Sequence, residues 1–265
     1  MRRVLRYLRL FWVQLRSSLL LALQYRWDFV TDGTINVFYA ATAVAPLLVI
    51  FNGRDSIAGW TMPEALLVSG WFIMLDAIID GAISPSLLSV VDHIRQGTLD
   101  FVLLKPADAQ FLVSTQRFHP WKLTNTAGAL AVFVYSFQKM HRTPELVGVL
   151  TSVGLLAVSI TLLYSLWILT VSAAFYVVKV DNLSYLFTSI FDAARWPADV
   201  FRGAVYVLFT FVIPLALMTT YPAEALLGRL KTSTVLFSIL GTAAFAAFAR
   251  LVWLRSIARY TSASG

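Results

Sequence analysis

The chain has 265 residues, of which 58% are hydrophobic and only 13% are charged, and its mean hydropathy is +0.74. This composition excludes an ordinary soluble domain, because one soluble core of this size cannot bury so much apolar surface. The absence of cysteine also excludes disulfides, cysteine-bound metals and thiol nucleophiles. Several runs reach the roughly 20 apolar residues that a helix needs to cross a bilayer. We therefore predict an all-α, polytopic membrane protein with one transmembrane domain over residues 1–265.

The first predicted element, residues 1–25, is an amphipathic helix. When its residues are placed at intervals of roughly 100°, the arginines fall on one side and bulky apolar side chains on the other. The arginines are Arg2, Arg6, Arg9 and Arg16, and the apolar residues are Leu8, Phe11, Trp12, Leu15 and Leu19. This pattern favours a helix in the membrane interface, with its arginines toward anionic headgroups. The alternative, a plain first span, would have to bury four arginines on one stripe.

The next two elements are predicted membrane spans, Gly33–Phe51 and Ala65–Val91. The second carries Asp76 and Asp80 one turn apart on the same face, at a depth where exposing a charge to lipid is costly. Two carboxylates on one turn can share a proton or attract a cation. We favour the other interpretation, in which they line a hydrated groove near a subunit contact, because the neighbouring spans contain no obvious basic counter-ion.

Three further apolar elements and one interrupted region follow. Leu123–Gln138 is a short third span, and Leu146–Val178 is a fourth that exceeds the bilayer thickness and must tilt or project. Leu183–Ala194 gives only about three turns of helix. Residues 197–222 are apolar but broken by proline and glycine, which predicts a re-entrant pair of short helices buried against protein or a wet cavity. Thr232–Trp253 is the last of six predicted spans.

The basic residues are distributed unequally between the two sides of these spans. If both termini lie on one side, 14 of the 21 Lys and Arg residues fall on that side. The positive-inside rule makes it the cytoplasmic side. The net charge of +7 is then a topology signal, and we predict no nucleic-acid partner.

Motifs of soluble catalysis are absent from the sequence. It has no phosphate-binding loop, no serine nucleophile elbow and no paired-histidine zinc motif, and His93, His119 and His141 lie far apart. We therefore predict no catalytic residue and no metal site. Work that needs ATP would require another chain to bind it.

One polar interval, Ile94–Pro106, stands between long apolar runs. With its flanks it reads Asp92-His-Ile-Arg-Gln-Gly-Thr-Leu-Asp-Phe-Val-Leu-Leu-Lys-Pro, followed by Asp108-Ala-Gln-Phe. This stretch resembles the cytoplasmic segment of bacterial ABC transporter permeases of the type-2 exporter class. The interfacial N-terminal helix, the six spans and the proline-broken region before the last span extend the resemblance over most of the chain.

The resemblance implies that residues 92–110 form a coupling helix seated in a groove of a separate ATPase subunit. The residues themselves suit such a contact, because they combine charged groups with the apolar anchors Leu99, Phe101 and Leu104. Gly97 is expected to end one helical piece. A merely solvated loop is the alternative, but such loops rarely expose so many apolar residues to water. The predicted docking residues are Ile94, Arg95, Gly97, Leu99, Asp100 and Lys105.

The resemblance also implies a function, that of a permease in an ATP-driven exporter of the bacterial cytoplasmic membrane. Two permease subunits, identical or related, would work with two ATPases, and ATP and Mg would bind to the ATPases and not to this chain. A path along the second and fifth spans would end at an outer gate near residues 201–221, whose aromatic residues suit an amphipathic or lipid-like substrate. The predicted path residues are Asp76, Asp80, Tyr206, Phe209 and Phe211. Two alternatives stay open: a proton-coupled transporter that uses the two aspartates, and a scaffold subunit without transport.

Overall fold

A computed structural model describes residues 2–24, 26–176, 185 and 188–260 of the chain. Within these residues the regular elements are helical, and the only extended pairing is an isolated bridge between Ile57 and Trp60. The prediction of an all-α chain is therefore confirmed. Three helical stretches are long and apolar enough to cross a membrane, namely Met62–Arg95, Leu146–Ala173 and Thr232–Ala258.

The first two helices are α1, Arg2–Gln24, and α2, Arg26–Ile50. The predicted N-terminal helix is present, and its placement in a membrane interface stays a prediction. The predicted span Gly33–Phe51 forms the larger part of α2, which begins earlier and contains Pro46.

The central helical stretch consists of three parts: α3, Met62–Ile78, a π-helical turn at Ile79–Ile83, and α4, Ser84–Arg95. The start of α3 is fixed by Glu64, whose carboxylate accepts a hydrogen bond of 2.9 Å from the N–H of Thr61. At about 1.5 Å per residue the whole stretch is longer than the ~30 Å hydrocarbon layer, so one end must project.

The core lies around α3. Of the most apolar part of this stretch, 78% is buried, compared with 17% for the last long helix. The helix packs against α7, Asn125–Met140, where the Trp71 and Phe133 rings lie 5.0 Å apart. Gly70 permits this approach, because a Cβ at that position would lie 2.5 Å from the Phe133 ring.

Between α4 and α7 the chain forms two short helices, α5 at Asp100–Leu103 and α6 at Ala109–Ser114, and a 3₁₀ turn at Pro120–Thr124. The next helix, α8, spans Leu146–Ala173 and packs against the last long helix. The predicted fourth span extended to Val178, and residues 177–184 lie outside the described part of the chain.

The region before the last helix consists of short pieces. They are 3₁₀ turns at Asp192–Arg195 and Ala198–Val200, α9 at Ala204–Val207, π turns at Leu208–Val212 and Ala216–Thr220, and α10 at Tyr221–Leu226. Side-chain hydroxyls attach these pieces to α8, for example from Ser152 to the carbonyl oxygen of Pro222 at 2.7 Å. The last helix, α11, spans Thr232–Ala258. The region is divided into short pieces, as its proline and glycine residues predict, whereas re-entry into a membrane stays a prediction.

Candidate functional site

The predicted docking segment begins with a tight turn after α4. Gly97 has a φ of +67°, a conformation that glycine adopts without strain. The N–H of Thr98 donates to the carbonyl oxygen of His93 at 2.9 Å, and the N–H of Gly97 donates to that of Ile94 at 3.3 Å. These bonds satisfy the last carbonyl groups of the helix and lead the chain directly into α5.

His93 braces this turn through its side chain. Its Nδ1 lies 2.8 Å from the Thr98 hydroxyl, and its Nε2 lies 3.3 Å from the amide nitrogen of Gln116. The sequence gives no sign of this contact, because Gln116 lies 23 positions further on. The turn is thus held to the chain that follows α6.

The side chains of α5 divide into a buried and an exposed set. Leu99 is fully buried and Val102 is almost so, whereas Phe101 is 71% and Leu104 is 80% exposed. Of the other predicted docking residues, Arg95 and Lys105 are exposed, and Ile94, Gly97 and Asp100 are partly buried. The six residues thus extend from the end of α4 to just beyond α5, and Leu99 lies in the core of the chain.

Asp108 and Gln110 join this segment to two long helices. Its carboxylate caps α6 by accepting a hydrogen bond of 3.0 Å from the N–H of Phe111. The guanidinium of Arg250, on α11, donates to both carboxylate oxygens of Asp108 and to the amide oxygen of Gln110, the last at 2.6 Å. The amide nitrogen of Gln110 then donates to the hydroxyl of Tyr164, on α8, at 2.9 Å.

The carboxyl group of Asp108 has a lowered pKa. Burial by itself raises the pKa, but the hydrogen bonds from the Arg250 guanidinium and the Phe111 N–H outweigh that effect. Asp108 is therefore ionised at neutral pH and forms a charge-assisted pair with Arg250. Sequence reasoning used Asp108 only as part of the family resemblance, and 142 positions separate it from its partner.

Helix α1 lies along the same segment. Arg6 donates to the carbonyl oxygen of Pro106 at 2.6 Å, and the Tyr7 hydroxyl accepts a hydrogen bond of 3.0 Å from the N–H of Asp108. Further along α1, the indole of Trp121 donates to the carbonyl oxygen of Ala22 at 3.2 Å. At least one arginine of the predicted interfacial stripe thus contacts protein.

The two aspartates of the central stretch lie near basic groups. Asp76 is partly buried in α3, and Asp80 is exposed in the π turn that follows. Asp76 lies within electrostatic range of Asp80 and of Asp192, Lys122 and Arg195. The sequence showed no basic counter-ion in the neighbouring spans, because Lys122 and Arg195 lie in 3₁₀ turns beside them.

Arg195 holds a defined position beside α3. Its guanidinium pairs with Asp192 at 2.7 Å and lies over the Phe72 ring, 5.2 Å from the centroid. The hydroxyl of Ser69 also donates to the backbone carbonyl of Arg195 at 3.1 Å. The turn at Asp192–Arg195 is therefore fixed against the central helix one turn from Asp76.

The predicted gate residues lie in α9 and the π turn after it. Tyr206 is 37% exposed, and Phe209 packs edge-on against Phe201 with ring centroids 4.9 Å apart. The side chain of Phe211 lies outside the described part of the chain.

Comparison with known proteins identifies the family. The model of the ABC-2 family transporter proteins matches residues 37–264, which is most of the chain. No curated protein and no solved structure matches. The match includes the predicted docking segment, Asp76 and Asp80 of the central stretch, and the broken region before α11. The chain is therefore a membrane protein that belongs to the ABC-2 transporter family.

Proposed function

We propose that this chain is the permease subunit of an ATP-driven exporter, in which a separate ATPase supplies the energy. Family membership supports the class of protein, and the three long apolar helices support its place in a membrane. Two permease subunits work with two ATPases, and ATP and Mg bind to the ATPases. Closure of the ATPases moves the docking segments and switches the helices between inward-open and outward-open states.

The proposed topology has six spans in the bacterial cytoplasmic membrane, with both termini in the cytoplasm. Residues 1–265 form a single transmembrane domain, in which residues 92–110 project into the cytoplasm and residues 197–222 re-enter the membrane from outside. The unequal distribution of basic residues supports this orientation.

The observation that carries the docking proposal is the exposure of Phe101 and Leu104 on a braced turn. Large apolar side chains in water favour a partner surface, since covering each one contributes about 1.5–3 kcal/mol. The exposed side chains of Arg95 and Lys105 flank them and supply charge for orientation. Leu99 does not contact the ATPase. Its buried side chain stabilises the conformation of the turn.

The proposed substrate is an amphipathic or lipid-like compound. A cavity of about 180 Å³ lies at the end of α2, next to the broken region, and is lined mainly by Leu47, Phe51, Trp60, Trp196 and Phe201. Such a lining suits an alkyl or aromatic group. The indole N–H of Trp60 donates to the Asp199 carboxylate at 3.0 Å. The proposed path begins at Asp76 and Asp80. It runs past Tyr206, Phe209 and Phe211 to the region of this cavity.

One observation favours a second function, that of a proton-coupled transporter. Asp76 is partly buried, lies beside Asp80 and has basic groups within range, as a proton relay requires. Such a transporter would need no ATPase and would lose transport in Asp76→Asn. A scaffold subunit would instead keep the ATPase but show no transport in any variant.

The experiment that tests the docking proposal is copurification of the ATPase from the native membrane. We expect Phe101→Asp and Leu104→Asp to lose most of the ATPase, because each replaces an exposed apolar contact with a charge. The matched control is Leu146→Asp, since Leu146 is 74% exposed at the start of α8, far from the docking turn. Leu99→Asp is unsuitable because a buried charge would unfold the turn. Full retention of the ATPase by both docking variants would contradict the proposal.

A further inference from the structure

The described helices include two packed pairs. In one, α3 packs against α7, and in the other, α8 packs against α11. The docking segment is continuous with the first pair, because α4 follows α3 through the π turn. Its downstream end contacts the second pair through Asp108 and Gln110. The segment therefore has a connection to each helix pair.

We propose that the Asp108–Arg250 pair is the link through which the docking segment moves α8 and α11. This inference rests on the proposed function, since it needs an ATPase at the docking turn. Asp108 and Arg250 are positioning residues in it: neither contacts ATP, and together they transmit a displacement.

The geometry of the link suits transmission of movement. Arg250 donates to both oxygens of Asp108, and a two-point contact resists rotation as well as separation. Gln110 contacts Arg250 on α11 and Tyr164 on α8, so this one side chain of α6 touches both members of the pair. The Tyr164 hydroxyl also lies 2.7 Å from that of Ser114, at the end of α6.

The position of α11 makes this link important. Only 17% of its most apolar part is buried within the chain, so few of its contacts can carry force from elsewhere. Its main neighbour is α8, to which the same cluster is attached. A displacement of α6 therefore moves α8 and α11 together and not one of these helices alone.

Substitutions can separate the charge of Asp108 from its role as a helix cap. Asp108→Asn keeps a good cap for Phe111 but removes the charge that pairs with Arg250. Adding Gln110→Glu returns a carboxylate to Arg250, because the Gln110 side-chain oxygen already lies 2.6 Å from the guanidinium. The Tyr164 hydroxyl can donate to that new carboxylate.

The natural absence of cysteine provides the readout. A single Ser233→Cys places a thiol at an exposed position near the start of α11, about 25 Å along the helix from Arg250. The complex with its copurified ATPase is placed in lipid nanodiscs, and the rate of maleimide labelling is measured with and without ATP and vanadate.

We expect ATP and vanadate to change the labelling rate of the parent by roughly fivefold or more. Fivefold is about the lower end of the range of effects that coupled sites have on each other. Asp108→Asn should lose this response while retaining the ATPase, and Asp108→Asn with Gln110→Glu should regain it. An unaltered response in Asp108→Asn, or a loss that Gln110→Glu does not restore, overturns the link. A parent that binds no ATPase overturns the proposed function itself, so the two failures are distinguishable. A parent that binds the ATPase but shows no response overturns the link alone.

Discussion

Gly148 of α8 lies directly against the backbone carbonyl of Ala225 in α10, so that a Cβ on Gly148 would be 2.6 Å from that oxygen. A backbone atom cannot move aside as a flexible side chain can. This contact attaches the broken region to α8 at the end of the helix remote from the docking turn.

We expect Gly148→Ala to destabilise the chain by about 1–3 kcal/mol, the usual cost of overpacking. Gly154→Ala is the matched control on the same helix, because no atom lies within 4 Å of its Cβ position. It should be neutral or stabilise by up to about 1 kcal/mol through helix propensity. Unfolding in detergent measures both, and equal stabilities would show that the close approach to Ala225 is not present.

The two leucines of the docking turn should behave in opposite ways. Leu99→Ala removes a fully buried side chain and should destabilise the chain by about 2–5 kcal/mol. Leu104→Ala removes an exposed one and should change stability by less than about 0.5 kcal/mol while reducing ATPase retention. The two measurements are unfolding of the purified chain and copurification of the ATPase. Stability loss in Leu104→Ala would mean that this side chain is covered within the chain.

The Asp108–Arg250 pair should give a defined pH dependence. Because the pKa of Asp108 is lower in the folded chain than its ordinary value of 3.8, the pair contributes stability above that value and loses it as pH falls through the lowered pKa. Asp108→Asn should therefore be less stable than the parent at pH 7, by up to about 1 kcal/mol for a partly exposed pair. The difference should disappear once the pH lies below that lowered pKa.

The matched control for this pH series is Asp55→Asn, which removes an exposed carboxyl from the loop before α3. Its stability difference from the parent should be small at both pH values. A difference for Asp108→Asn that persists at low pH would indicate that the substitution acts through the helix cap.

The proposed topology predicts that Arg16→Cys and Thr143→Cys react from opposite faces of sealed vesicles. Three of the proposed spans separate these two exposed positions. A membrane-impermeant maleimide applied to inverted and right-side-out vesicles tests this. Labelling of both cysteines from the same side would contradict the six-span topology.

The sequence predicted the helices well because hydropathy is a local property. The stretch Met62–Arg95 and the helix Leu146–Ala173 appear as long apolar runs, and the proline-broken region appears as short pieces. Leu99 shows where this reasoning stops: α5 has only four residues, which is too short for periodicity to separate a buried face from an exposed one.

The contacts that define the candidate site are not local, and this is why the sequence did not reveal them. In the sequence Arg250 is only one basic residue near the end of the last predicted span, and Asp108 is only part of the stretch that resembles the family. Their pairing depends on how α6 and α11 pack. Likewise, Lys122 comes within range of Asp76 only because a 3₁₀ turn places it beside the central helix.

The π turn at Ile79–Ile83 interrupts the regular hydrogen bonding of the long central stretch. A π turn inserts one residue into the helical hydrogen-bond ladder, and Pro85 in the first turn of α4 provides no backbone N–H. Beyond this point α4 runs for about 18 Å. Its residues Leu87, Val90 and Val91 are buried in the same core cluster as the side chains of α3. Any displacement of the docking segment must therefore change the packing of this core, because the break in the helical ladder does not separate α4 from it.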